Sequence, residues 1–276
     1  VSAGVLSDPA DTATAGAGAR AAVVVIGNEI LSGRTRDANL SYLARKLGEV
    51  GIAVAEARIV ADDTDAIVDA VNALRARHGH VFTTGGIGPT HDDITAAAVA
   101  RAFGRPFGRN PEAERRLRAY YDPDKINAAR LSMADMPEGV ELIDNPVSAA
   151  PGFRLENVHV LPGVPKILEA MVDAWVPRLA GGRPIASRAL TVFCAEGDLA
   201  EALAAVEADG GGVALGSYPF FRQGRFGTTV VVRATDGERV DAAIAAVRAH
   251  AEALGFDHAA FDAAATETVE GVPRAE

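Results

Sequence analysis

The sequence predicts an α/β fold with a parallel sheet, followed by a small α+β domain. Three observations carry this expectation. A short unbroken apolar run, Ala21-Ala22-Val23-Val24-Val25-Ile26, has the composition of a strand buried on both faces. Apolar runs of this kind then alternate with amphipathic helical segments, which is the pattern of βαβ units. Beyond Arg183-Pro184 the order changes to strand, helix, two strands and helix, as expected for an antiparallel sheet with helices on it.

The elements follow in order. After the first strand and a polar loop, residues 37–50 form a helix with Leu40, Leu43, Ala44 and Leu47 on one side and Gly51 closing it. Residues 52–60 are the second strand. Residues 62–77 are a helix with Ile67, Val68, Val71 and Leu74 on its apolar face. Residues 80–83 make the third strand, and a glycine-rich loop leads into a helix over 96–103. From Gly104 to Pro151 the periodicity loosens, with helices over 112–121 and 125–133 and a short strand over 140–143. Strand 158–161 and helix 165–174 restore the alternation. The second domain reads as strand 188–193, helix 198–208, strands 213–217 and 226–234, and helix 237–254. Residues 1–19 and 257–276 are small, polar or acidic, with little to bury, and are expected to be disordered tails. The domains are then 20–182 and 183–256.

Composition narrows the function. The chain has 276 residues, of which 49% are hydrophobic, enough for a sizeable core. With 27 Lys and Arg against 37 Asp and Glu, the net charge is -10, which argues against non-specific nucleic-acid binding. It does not exclude anionic ligands, because a loop of backbone amides can hold phosphate inside an acidic protein. The single cysteine, Cys194, can make neither an internal disulfide nor a zinc site alone. With no long apolar stretch and no signal peptide, a soluble cytoplasmic protein without membrane contact is expected.

The chemistry concentrates in Thr83-Thr84-Gly85-Gly86-Ile87-Gly88-Pro89-Thr90-His91-Asp92-Asp93, which joins a buried strand to a helix. In open α/β sheets ligands bind at the carboxyl ends of the strands. Glycines let backbone approach a phosphate closely, and Thr90 is placed to cap the helix. Asp92 and Asp93 in the first turn would repel a phosphate unless a divalent cation bridged them, so the loop points to a metal–phosphate ligand. A tight strand-to-helix turn with solvent-exposed capping acids is the alternative. Two further loops emerge at the same sheet edge, with Glu29, Asp37 and Asp62 among their acids, although Asp37 and Asp62 are equally good helix caps.

Ile26-Gly27-Asn28-Glu29-Ile30-Leu31-Ser32-Gly33, Asp37-Ala38-Asn39, the glycine loop over 84–93 and Leu161-Pro162-Gly163-Val164-Pro165 together resemble the MoaB/Mog molybdopterin-binding domain. The likeness is to its CinA-type branch, the amino-terminal domain of competence/damage-inducible CinA proteins and of related FAD synthetases. It covers about residues 21–178, and Gly216-Ser217-Tyr218-Pro219 resembles the appended domain of that branch. The resemblance implies a three-layer αβα fold with a mostly parallel sheet. It also implies a phosphate- or nucleotide-binding set of Thr84, Gly85, Gly86, Gly88, Pro89, Thr90, Glu29, Asp37, Asn39 and Gly163. Asp62 and Asp93 would be catalytic, with Asp92 and Asp93 as metal ligands for Mg²⁺, Mn²⁺ or Co²⁺.

The branch is associated with metal-dependent cleavage of ADP-ribose-like or FAD-like dinucleotides, and a nucleotide pyrophosphohydrolase is the leading expectation. The alternatives are a non-catalytic pterin or nucleotide binder and a molybdopterin adenylyltransferase. The expected partners are a small nucleotide or pterin phosphate and further copies of the chain. Ser148 stands where the family often has Gly. No amidase or nucleotidyltransferase domain is recognised, so deamidation of nicotinamide mononucleotide and synthesis of FAD are not expected. Cys194 is expected to be a buried structural thiol. His91 and Lys166 are potential phosphate contacts with solvated alternatives. Tyr218-Pro219-Phe220-Phe221 is expected to pack within the small domain rather than stack on a ligand.

Overall fold

The computed structural model describes residues 19–260, apart from 180, 210, 211 and 223. The expected tails over 1–18 and 261–276 lie outside the described residues. The chain divides into two compact units, one ending at Gly182 and the other beginning at Arg183.

In the first unit, β1 (Arg20–Ile26) is followed by a single helical turn α1 (Asn28–Leu31), α2 (Asn39–Glu49), β2 (Ala53–Val60), α3 (Thr64–Arg75), β3 (His80–Thr84) and α4 (Thr95–Ala102). Then come β4 (Phe107–Arg109), α5 (Pro111–Tyr120), the short α6 (Ala128–Leu131), β5 (Asp135–Pro137) and β6 (Glu141–Ile143). The unit is completed by β7 (Gly152–Leu155), β8 (Val158–Leu161) and α7 (Pro165–Trp175). The main sheet has the order β2-β1-β3-β8-β7-β6, with its first four strands parallel and the last two antiparallel. This is the expected three-layer αβα arrangement.

β1 shows why its sequence is apolar at every position. Successive side chains on a strand point to opposite faces. Ala22, Val24 and Ile26 enter one core with α3 and α4, and Ala21, Val23 and Val25 enter the other with α2 and α7. All six residues are buried. Helix starts are fixed locally: Asp63 caps α3 through the Ala66 amide at 2.9 Å, and Asn110 caps α5 ahead of Pro111. Gly51, at φ 77°, closes α2 in a conformation that glycine adopts without strain.

The structure corrects the reading where periodicity was weak. Residues 125–133 are not one helix but a 3₁₀ turn, the four-residue α6 and a second 3₁₀ turn. β4 and β5 pair as a separate two-stranded sheet, and β7 forms a tight hairpin with β8 in which Glu156 takes a positive φ. Strands of three or four residues are too short to show a period of two. At the amino-terminal boundary, the carbonyl of Ala19 already accepts from the Ala53 amide.

The second unit contains β9 (Ala186–Val192), α8 (Glu196–Asp209), β10 (Ala214–Arg222), β11 (Arg225–Ala234), α9 (Gly237–Ala253) and β12 (His258–Ala260). Its sheet runs β10-β11-β9-β12, antiparallel throughout. Residues from α8 and α9 share a core with Leu190, Val192, Val230 and Val232. The strand β12 lies in the segment assigned above to the carboxyl-terminal tail. It joins the sheet by backbone pairing with β9, which an apolar pattern does not announce.

A polar network is buried in the first unit. His159 on β8 is fully buried, stacked on Phe82 with ring centroids 4.5 Å apart. Its Nδ1 accepts from the Trp175 indole N–H at 2.9 Å, so in the neutral ring Nε2 carries the proton and faces Nδ1 of His80 at 3.2 Å. Burial, with His80 adding to it, pushes the His159 pKa well below the ordinary value of 6.5. The unfolded chain therefore binds more protons than the folded one below that value, and stability falls as pH drops through about 6.5. Melting temperature should decline between pH 7 and pH 5. In His159→Leu the decline should be shallower, while stability at pH 7 is lower by about 1–3 kcal/mol because the Trp175 N–H loses its acceptor. Thermal melts at the two pH values test both expectations.

Candidate functional site

The carboxyl ends of β1, β2, β3 and β8 lie along one edge of the parallel sheet. The loops that follow them enclose a cleft of about 630 Å³. Its wall includes Glu29, Thr35, Asp62, the loop from Gly85 to Thr90, Asp92, Asp93 and Gly163.

The glycine loop is built by close backbone approach. At Gly85 (φ 104°) a Cβ would collide with the Ile26 carbonyl, and at Gly86 (φ 67°) with Oγ1 of Thr95. Thr95 fastens the loop to α4: its hydroxyl donates to the Gly85 carbonyl and its amide to the Gly86 carbonyl, both at 2.9 Å. The Asp93 carboxylate closes the loop from inside. Oδ1 accepts from the Gly88 amide at 2.6 Å, and Oδ2 accepts from the Thr90 amide at 2.8 Å and lies 2.6 Å from its hydroxyl. Asp92 Oδ1 approaches the same hydroxyl at 2.5 Å, and this hydrogen bond holds the exposed Asp92 carboxyl below the usual range.

These bonds separate the expected phosphate-binding residues. The Gly85 amide donates to the Leu161 carbonyl at 3.1 Å and the Gly88 amide to Asp93, so neither faces a ligand. The amides of Gly86 and Ile87 donate to no acceptor among the described residues. Pro89 and Thr90 line the cleft, whereas Thr84 is fully buried at the end of β3 behind it.

The remaining acids divide in the same way. Asp63, not Asp62, caps α3. Asp62 turns into the cleft, where Oδ2 accepts from the Asn28 amide at 2.8 Å and Oδ1 accepts nothing among the described residues. Glu29 lines the cleft, with its carboxylate folded back over Gly27. Asp37 instead caps the start of α2 through the Leu40 amide at 2.9 Å and does not line the cleft. Asn39 is buried and ties α2 to the β8–α7 loop by donating to the Gly163 carbonyl at 2.9 Å. Asp37 and Asn39 thus brace the site without entering it.

The structure adds residues that sequence reasoning missed: Tyr121, Arg130 and Met133 line the cleft. Asn145 and Ser148 line it too, Ser148 being the residue that stands where the family often has Gly. Asn145 organises its own loop, accepting from the amides of Val147 and Ser148 and donating to Ser148 Oγ and the Ala150 carbonyl. His91 and Lys166 are exposed and outside the cleft wall. Cys194 is buried, and burial raises its thiol pKa. Phe220 and Phe221 of the small unit pack against Phe193 and Phe226 of the same unit as expected, with ring centroids 6.3 and 4.7 Å apart, although Tyr218 and Phe221 stay 53% and 41% exposed.

Residues 22–181 match the family model described as "Probable molybdopterin binding domain", and that match covers more than half of the chain. The chain belongs to this molybdopterin-binding-domain family. Residues 184–258 match the model described as "FAD synthase, middle domain". A CinA-like protein of Desulfosudis oleivorans is 40% identical over 185 residues, covering 63% of this chain and 45% of the relative. One from Syntrophus aciditrophicus is 38% identical over 224 residues, covering 76% and 53%. The chain therefore spans about half the length of these curated relatives. The crystal structure of the CinA protein of Thermoplasma acidophilum, described as of unknown function, aligns with a TM-score of 0.54 and 34% identity. It covers 56% of this chain and 94% of that one. These likenesses assign the chain to the CinA-type branch of the molybdopterin-binding domains.

In this CinA-type chain the glycine positions are not equivalent. Gly85→Ala forces a side chain against backbone at a positive φ and should destabilise the first unit by about 2 kcal/mol or more. Gly33→Ala, also at positive φ (71°) but with open space around it, should cost about 1 kcal/mol. Denaturant unfolding of both variants checks the order.

Proposed function

We propose that this CinA-type chain is a metal-dependent nucleotide pyrophosphohydrolase that cleaves the diphosphate bridge of an ADP-ribose- or FAD-like dinucleotide. The observation that carries the reading is the coexistence, in one cleft, of open backbone amides at Gly86 and Ile87 with the carboxylates of Glu29, Asp62, Asp92 and Asp93. A protein that only bound phosphate would gain nothing from four acids beside it. Among the described residues no three His, Cys, Asp or Glu side chains stand together as a ready metal cage. Mg²⁺ does not need one, because it binds through one or two carboxylates plus substrate phosphates. The exposed Asp92 has the donor chemistry that fits, and Asp62 keeps Oδ1 free for the attacking water. Asp93 is already engaged at both oxygens and instead holds the loop in shape. The cation would neutralise charge on the phosphoryl oxygens.

In the reaction a water oxygen adds to one phosphorus and the bond from that phosphorus to the bridging oxygen breaks. The amides of Gly86 and Ile87 hold a non-bridging oxygen, and Asp62 orients the water and takes its proton. The products are AMP and the phosphorylated other half of the substrate. Incubation of the purified chain with ADP-ribose, FAD or NAD and Mg²⁺, Mn²⁺ or Co²⁺ should release AMP, and chelation should abolish the release. Asp62→Asn should lower turnover by about 100-fold or more. Full activity in chelator would remove the metal from the reaction. Tight binding without any AMP would favour the non-catalytic pterin or nucleotide binder.

A further inference from the structure

Arg130 is the only Lys or Arg among the described residues that line the cleft, against four carboxylates. It comes from α6, about forty residues beyond the glycine loop, in the segment where helical periodicity breaks down. Its position is set at three points. The backbone amide donates to the capping Asn127 side chain at 2.8 Å, the guanidinium lies over the Tyr121 ring 4.8 Å from its centre, and Nη1 donates to the Lys125 carbonyl. Tyr121 lines the same cleft. Arg130 forms no ion pair among the described residues, so the acids of the cleft do not neutralise it. A long side chain laid against an aromatic ring that keeps most of its five N–H donors open at the border of the cleft is placed to grip a phosphate in bidentate fashion.

We infer that Arg130 binds one phosphate of the ligand and thereby orients the diphosphate in the cleft. This rests on the pyrophosphohydrolase reading and adds a division of labour to it. The phosphate to be attacked lies on the acid side, against the Gly86 and Ile87 amides. Its neighbour, carried into the leaving half, lies on the guanidinium. The ligand class that satisfies both subsites is a nucleoside diphosphate ester. A monophosphate reaches only one of them.

The test uses the full chain. Affinities for ADP-ribose, AMP and adenosine are measured by calorimetry with Mg²⁺ present, and AMP release is followed in parallel. Arg130→Gln should weaken ADP-ribose binding at least tenfold and leave adenosine binding unchanged. Arg130→Lys, which keeps the charge but not the paired donors, should recover only part of the loss. Thermal melts of both variants verify the fold, and the lysine variant carries the test if the glutamine variant melts early. ADP-ribose affinity within twofold of wild type in Arg130→Gln overturns the inference. If AMP is then still released, the pyrophosphohydrolase reading survives alone. If Arg130→Gln loses ADP-ribose affinity but the wild type releases no AMP, the inference stands and the hydrolase reading falls. Wild-type protein that neither binds nor cleaves ADP-ribose overturns both.

Discussion

The carboxyl ends of β1, β3 and β8 are neighbours through strand pairing, and the loops that leave them fit together because backbone meets backbone there. Gly85 sits against the Ile26 carbonyl of β1, and a Cβ on Gly163 would stand 3.2 Å from the Gly85 Cα. A side chain on Gly85 would collide with the Ile26 carbonyl, and one on Gly163 would make Gly85 give way by a few tenths of an ångström, so the loops would lose their close fit around the cleft. The anchoring extends to both helical layers. Thr95 at the start of α4 binds the Gly85 and Gly86 carbonyls, and Asn39 at the start of α2, from the opposite face of the sheet, holds the Gly163 carbonyl. A loop held from both faces loses little conformational entropy when a ligand arrives.

On this rigid floor, hydrogen bonding decides which charges remain available. A carboxylate at a helix start is neutralised in part by the amides it accepts from. Asp37 and Asp63 are used in this way for α2 and α3. Asp93 does the same for the glycine loop. What is left facing the cleft is one oxygen of Asp62, together with Asp92 and Glu29. Among the described residues the cleft has Arg130 as its one Lys or Arg, so on the proposed reading a phosphate on the acid side would need a counter-charge brought from solution.

Much of this was legible in the sequence, for identifiable reasons. A parallel strand buried on both faces must be apolar throughout, and β1 is. A helix between two such strands must carry one apolar face, and α2 and α3 do. The glycine loop was legible because its two aspartates would repel the phosphate that its glycines are suited to hold, unless a cation came between them. The choice between adjacent acids was not. Asp62 and Asp63 have the same chemistry, and only the geometry of the turn sends one to the Ala66 amide and the other to the cleft. β4, β5, β7 and β12 are too short for a period of two, and α6 is a single turn. Arg130 was hidden for the same reason, because it is delivered by a segment without periodicity.

The engagement of Asp93 changes what a glycine loop means in this chain. A phosphate-holding loop is usually read as a row of free amides, but here the Gly85 amide serves the sheet and the Gly88 and Thr90 amides serve Asp93. The loop is therefore already folded around an internal carboxylate before any ligand binds. Between Gly85 and Thr90, Gly86 and Ile87 present amides without an acceptor among the described residues, and across the cleft the Gly163 and Val164 amides do the same. Two amides can hold one non-bridging oxygen but cannot surround a phosphate. On the proposed reading, the rest of the ligand's charge would be met by a cation on the acids and by the Arg130 guanidinium. A ligand with a single phosphate would, on that reading, satisfy half of such a site, and a diphosphate would span it.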